Sequence, residues 1–351
     1  MNKYLSDKIR VLSFVAIILV LYIHSSFHEY PHEIEGMTFN MLLQEFISGK
    51  IGRCAVPLFF AISGYLFFLH TEAGIEAIWQ KMRKRVKTLF VPYLIACLFL
   101  PLFYVIMEMV PGTGRFINSE NFSDNLQLPL VELIYYLYFD SGSGSPCAFH
   151  LWFLRDLIII VAISPLLYWI RYSKANRYLV CAVLYGVAQI RTPLLPTYGM
   201  FWFIFGSYFL DQLSCVKYRN ALTVLFLLCS AVALAVPDWG GQFSIFQIPF
   251  ILTGMICLWL WYDTIVPKSF DLSNHKRLAC ACSFTFFIYL YHEPTINIVR
   301  KIFVLPFGHS SFGFAFSYML SPWLYVLLSI PIGMLLKKYV PRIYRILVGG
   351  R

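Results

Sequence analysis

An all-α polytopic membrane protein of about ten transmembrane helices, both ends on the cytoplasmic side, is the fold class that three features of the sequence predict. The first is composition: of 351 residues, 59% are hydrophobic and only 13% are charged, and the mean hydropathy is +0.68. A soluble domain carries about twice that share of charge, so lipid must cover surface that water cannot. The second is that apolar stretches of roughly twenty residues, the length that crosses a bilayer, recur along the whole chain. The third is the placement of Lys and Arg. Of these, 21 lie at the termini and in every second loop, 6 lie in the intervening loops, and Arg155 lies inside a stretch. Positive charge is retained on the cytoplasmic side, so this asymmetry sets both the count and the orientation.

In chain order the stretches centre near Ile18, Phe60, Leu98, Ile160, Leu184, Ile204, Leu228, Leu252, Ile288 and Leu327. The first is not a cleavable leader, because its apolar run is long, lacks a small-residue cleavage site and is followed by another span. The second is entered through Arg53 and holds Ser63-Gly64, small residues that let helix backbones approach. A basic run from Lys81 to Lys87 precedes the third, and the fourth opens on His150-Leu-Trp-Phe-Leu-Arg155-Asp156. The sixth is short and expected to be interrupted by Gly206. The ninth ends in His292-Glu293-Pro294, where proline loosens a helix. Two outer loops differ from the rest. One carries Glu29, Glu33, Glu35 and Glu45, and the other, from Pro111 to Phe149, is long enough to close over an outer mouth.

The whole chain, 1–351, reads as one membrane domain with no soluble domain. Its net charge of +10 follows from topology, with no nucleic-acid motif beside it. The nine cysteines are scattered and mostly within apolar stretches, where thiols behave as small hydrophobes. No metal is expected.

An ionisable group inside a span is costly and marks a candidate site. His24 lies near the outer end of the first span, with Arg10 on nearly the same face about 21 Å below by helical rise. Asp7 stands three residues before Arg10, within reach to pair with it. Arg53, His150, Arg155 and His292 fall at a similar outer depth in three other spans, and independent accidents would not share a depth. Trp152, Trp202, Tyr289 and Tyr291 lie at comparable levels. They suit stacking on a sugar ring, and equally an interfacial aromatic belt.

Four ordered pieces carry a resemblance. They are Asp7-x-x-Arg10 leading to His24-Ser-Ser, Arg53-x-x-Val56-Pro-Leu-Phe-Phe-x-x-Ser63-Gly-Tyr, His150-Leu-Trp-Phe-Leu, and Phe286-Phe-Ile-Tyr-x-x-His292-x-Pro294. Together the chain resembles the acyltransferase-3 family of bacterial membrane acyltransferases, including O-acetyltransferases of surface polysaccharides. There are two departures. The interval from Arg10 to His24 is longer than usual by almost one helical turn, which keeps the facing and shifts the depth by about 4–5 Å. Where the family has a second arginine after span two, this chain has Arg85-Val-Lys87-Thr88.

The resemblance implies a multi-pass protein of the bacterial cytoplasmic (inner) membrane. It would transfer an acyl group, acetyl from acetyl-CoA in the usual case, to a hydroxyl of an envelope carbohydrate, with acyl-CoA as donor and membrane lipid around it. His24 then suits the general base. Arg155 and Arg53 suit an oxyanion, with His150 and His292 beside them. Arg10, Arg85 and Lys87 suit the phosphates of CoA.

Two rivals are weighed. His28-Glu-Tyr-Pro-His32 satisfies H-E-x-x-H, but Pro31 breaks the helix that a zinc protease needs. A transporter or flippase of a lipid-linked or acylated sugar would also span the membrane with buried charge. It predicts charges at several depths and repeated halves, and the sequence has neither.

Overall fold

The computed structural model describes residues 1–27, 39–72, 74–113, 122–190, 192, 195–213, 216–236, 245–307 and 310–350. The H-E-x-x-H stretch, the acidic residues Glu29, Glu33 and Glu35, and Arg115, Arg191, Cys215 and Arg351 lie outside them. Among the described residues there is no strand. Within those same described residues, six helical stretches are long and apolar enough to cross a membrane, and a seventh appears if one bent pair counts as a single span. All ten expected centres fall within helices. Those of Leu184, Ile204 and Ile288 have only 12, 13 and 7 residues, short of the roughly twenty that cross a bilayer.

The first helix, α1 (Lys3–Ser25), starts on Asn2, whose side chain accepts from the Leu5 amide and so satisfies one orphan donor of the first turn. Its foot is fastened by charge. The Lys8 ammonium is buried, 2.7 Å from Asp263 and 3.9 Å from the Trp259 ring centre. The Tyr4 hydroxyl donates to the same carboxylate at 2.9 Å. Lys8, counted above among the loop cations, is therefore an internal charge neutralised by its partner. Asp7 accepts from the Leu272 amide at 3.0 Å and also lies 3.8 Å from Arg10, the pairing expected. At the edge of this cluster, hydrogen bonds from Lys3 and then Ser273 hold the half-buried Asp271 carboxyl down at about 2.

The second span enters by a wide π-turn, Glu45–Ile51, and a tight turn, Gly52–Cys54, before α2 (Ala55–Phe68). Its closest neighbour is α3 (Thr197–Phe209). A Cβ on Gly64 would sit 1.8 Å from the Phe203 carbonyl oxygen, and one on Gly206 would sit 2.0 Å from that of Ala61. The two backbones touch, as small residues permit in membrane helices. Gly206 thus does not interrupt the sixth stretch. The helix runs through it, and the missing side chain serves contact between helices.

Two expected spans are not straight. The fourth divides into α4 (Trp152–Ala162) and α5 (Ser164–Arg171), bent by 68°. Pro165 has no amide hydrogen and collides with the carbonyl four residues back. The ninth is broken at Phe284 into α6 (Lys276–Ser283) and α7 (Thr285–Tyr291), so a straight-helix rise does not give the depth of His292. Beyond Tyr291 the chain turns through a cis Glu293–Pro294 bond and restarts as α8 (Thr295–Val304).

The interior is aromatic and aliphatic, with Trp202, Trp259, Tyr318, Phe60 and Phe203 fully enclosed. Outward, Leu228 and Leu327, two of the expected span centres, are 61% and 67% exposed. An apolar belt turned outward fits lipid and is costly in water. The eight described cysteines are free thiols, buried or half-buried.

Candidate active site

His24 comes from the last turn of α1, His150 from a short turn (Phe149–Leu151) ahead of α4, and His292 from the end of α7. The fold sets the His292 ring between the other two imidazoles, inclined to them by 59° and 74°. The His292 ring centre lies 4.8 Å from that of His24 and 4.7 Å from that of His150. His292 is fully buried, His150 nearly so, and the His24 side chain is 18% exposed. His24 and His150 line a cavity of about 1040 Å³ that also takes in Arg53, Arg155, Asp156, Trp152 and Tyr289. His292 stands behind its wall.

Carbonyl oxygens only accept, so the partners of the buried rings fix their tautomers. His292 donates from Nδ1 to the Tyr289 carbonyl at 2.7 Å, leaving Nε2 as the lone-pair nitrogen. His150 donates from Nε2 to the Leu290 carbonyl at 3.2 Å, leaving Nδ1. Neither lone pair meets a hydrogen-bond donor among the described residues.

Glu293, which the sequence alone marks only as part of His292-Glu293-Pro294, is the fourth member. It is 1% exposed, and its Oε1 lies 3.3 Å from His24 Nδ1 without forming an aligned hydrogen bond. Its Oε2 accepts from the Asn297 side-chain amide at 2.5 Å. A carboxylate held from one side and facing an imidazole on the other can orient that ring and stabilise its protonated form. The available signal was a lone acid buried in an apolar stretch, which is costly unless partnered. Its partner lies 269 residues earlier.

The two outer arginines differ. Arg155 donates Nε and one Nη2 hydrogen to Asp156 Oδ1, at 2.9 and 2.8 Å, and Nη1 to the carbonyls of Phe139 and Gly144, at 2.6 and 3.0 Å. A guanidinium has five N–H groups, so one remains for a ligand. Its other bonds pin residues 139–145 against the cavity mouth, where the Asp140 carboxylate accepts from the amides of Gly142 and Gly144. Both glycines have positive φ, 92° and 77°, which side-chain-bearing residues adopt at a cost. That is one edge of the expected covering loop. Residues 114–121 of it lie outside the described set. Arg53, in the tight turn before α2, is exposed to the cavity and forms no hydrogen bond or ion pair with a described residue.

Of the proposed aromatic stackers, Trp152 and Tyr289 line the cavity. Trp202 is fully enclosed, because the close α2–α3 contact turns it inward, and it cannot meet a sugar. Tyr291 packs against Phe99 and Phe287. Arg10, Arg85 and Lys87 do not belong to the histidine site. Arg10 meets only Asp7 among the described residues. Arg85 closes the helix Ile75–Arg85, and Lys87 lies in the turn Val86–Phe90 that follows. Beside it, Gly349 packs against the Thr88 backbone.

A multi-pass helical membrane protein with a buried histidine–carboxylate cluster opening on a large cavity is the class that fold and site define. Residues 7–338 match the acyltransferase-3 family, described as an acyltransferase domain. The chain belongs to that family and is an acyltransferase. It is similar to the succinoglycan biosynthesis protein ExoH of Rhizobium meliloti (strain 1021), 21% identical over 366 residues, covering 100% of this chain and 94% of the relative. No solved structure matches the chain significantly.

Proposed function

We propose that the chain crosses the bacterial cytoplasmic membrane about ten times, both termini inside, and moves an acyl group from acyl-CoA to a hydroxyl of an envelope carbohydrate. Acetyl is the first acyl group to test. The observation that carries the reading is the meeting of His24 and Glu293 beside a cavity that also exposes the Arg53 guanidinium, unpaired among the described residues. The printed name of the relative, a succinoglycan biosynthesis protein, supports a carbohydrate acceptor.

In this reading Glu293 holds His24 with Nδ1–H toward it, and the His24 Nε2 lone pair takes the hydroxyl proton as the sugar oxygen attacks the thioester carbonyl. The contact of 3.3 Å tightens once the substrates are in place, as catalytic hydrogen bonds commonly do. Arg53, with the last N–H of Arg155, meets the oxyanion. Collapse expels CoA thiolate, which recovers the proton from His24, so the ester and free thiol leave and the enzyme is unchanged. His150 and His292 shape the acceptor side of the base. Arg10, Arg85 and Lys87 bind the CoA phosphates at the inner mouth.

The direct test is mass analysis of envelope glycans with and without the gene. A glycan heavier by one acyl group only when the gene is present is expected, and identical glycans would reject the reading. The donor assignment has its own test. Arg85→Ala removes a charge-assisted bond worth roughly 1.5–3 kcal/mol, so the KM for acyl-CoA should rise by about tenfold or more. An unchanged KM would leave Arg85 a topological charge.

A further inference from the structure

We propose that His24, His292 and Glu293 also form a zinc-binding site, and that zinc there inhibits the acyltransferase. One ligand atom from each residue lies within 4.8 Å of the other two. Tetrahedral zinc with bonds near 2.0–2.1 Å sets its ligand atoms about 3.3 Å apart, so side-chain adjustments of about an ångström or somewhat more close the site. Two of the acceptors, His292 Nε2 and Glu293 Oε1, are buried and meet no hydrogen-bond donor among the described residues. The arrangement behind them is that of metal-bound ligands, whose far atoms are fixed by outer partners. His292 gives its other N–H to the Tyr289 carbonyl, and Glu293 takes the Asn297 amide on its other oxygen.

Two imidazoles and one carboxylate suit zinc, whereas magnesium and calcium prefer oxygen alone. The ion would enter past His24, the one member that lines the cavity, leaving its fourth position for water. Binding engages the His24 ring and the Glu293 oxygen that faces it, so zinc and the reaction exclude each other. The inhibition rests on the role given to His24 above; the binding does not.

The test is calorimetric titration of the full-length, detergent-purified, chelator-treated protein with zinc chloride. One saturable zinc per chain is expected, with no comparable heat from magnesium. His292→Ala and the isosteric Glu293→Gln should weaken it by at least the 10–100-fold that loss of an outer partner costs a metal site. His275→Ala, at the distant start of α6, should bind as wild type. Cobalt bound to the wild-type chain should give the intense visible bands of a tetrahedral site, a readout that requires no variant to fold.

Absence of saturable zinc binding, affinity unchanged in both ligand variants, or the weak spectrum of octahedral cobalt would each overturn the site. Undiminished acyl transfer with zinc bound would overturn the inhibition. A zinc-free protein that transfers no acyl group counts against the functional reading alone, because the titration needs no turnover.

Discussion

His24→Ala is expected to lower acyl transfer by about 10²–10⁴-fold, the usual consequence of losing a general base, while the protein still inserts and folds. His24 is only partly enclosed, with 18% of its side chain exposed. Its truncation therefore removes modest packing from a helix whose other contacts remain. His24→Gln separates proton transfer from hydrogen bonding, since Gln keeps polarity but takes no proton at neutral pH. It should be nearly as inactive as Ala. Turnover per folded molecule, measured with acyl-CoA and an acceptor glycan, decides the matter. Activity above about a tenth of wild type in either variant, far outside the expected loss, would remove His24 as the base. His292 would be the next candidate by sequence. It is fully buried behind the cavity wall, and its role would require the wall to open.

The second large effect is expected at Glu293. Glu293→Gln keeps the volume and removes the negative charge beside His24. In Ser–His–Asp sites the equivalent exchange of the orienting carboxylate costs about 10⁴ in kcat, and here a fall of about 10²-fold or more is expected. The reading that separates positioning from simple damage is the pattern of constants. Loss of an interaction made only in the transition state lowers kcat and kcat/KM together and leaves KM for donor and acceptor unchanged. Glu293→Asp, which keeps the charge on a shorter arm, should recover part of kcat. A rise in KM with kcat preserved, or no rescue by Asp over Gln, would make Glu293 a structural acid. Asn297→Ala should weaken the same effect from behind, since Asn297 holds the other carboxylate oxygen at 2.5 Å.

How much of this was legible differs from residue to residue. The membrane class, the helical content and the family could be read because each rests on a signal spread over many residues: apolar length, charge asymmetry and four ordered motifs. His24, His150 and His292 could be selected individually, because an ionisable ring in an apolar stretch is conspicuous wherever it lies. Ser63-Gly64 could be read as a close-packing signal, and Gly64 does meet the Phe203 backbone. Gly206 looked like a breaker and proved to be the other half of that contact, since local propensity cannot say whether a neighbouring helix occupies the space a side chain leaves.

The sequence by itself determined that this protein needs a bilayer, that its backbone pairs within helices, and that it carries scattered buried polar groups of the acyltransferase-3 pattern. These follow from free energies that add residue by residue: the transfer of apolar side chains, and the cost of an unpaired amide in lipid. The tertiary structure alone decided which groups meet. It set Glu293 against His24, withdrew most of Arg155 into a bridge with Asp156 and the mouth loop, and left Arg53 facing the cavity. It also turned Trp202 inward, bent the fourth stretch by 68° and made Lys8 an internal ion pair. Each of these depends on contacts between residues far apart in the chain, and their energies fall off within a few ångströms. Helical periodicity says which way a side chain faces; only the packing of the helices says what it faces.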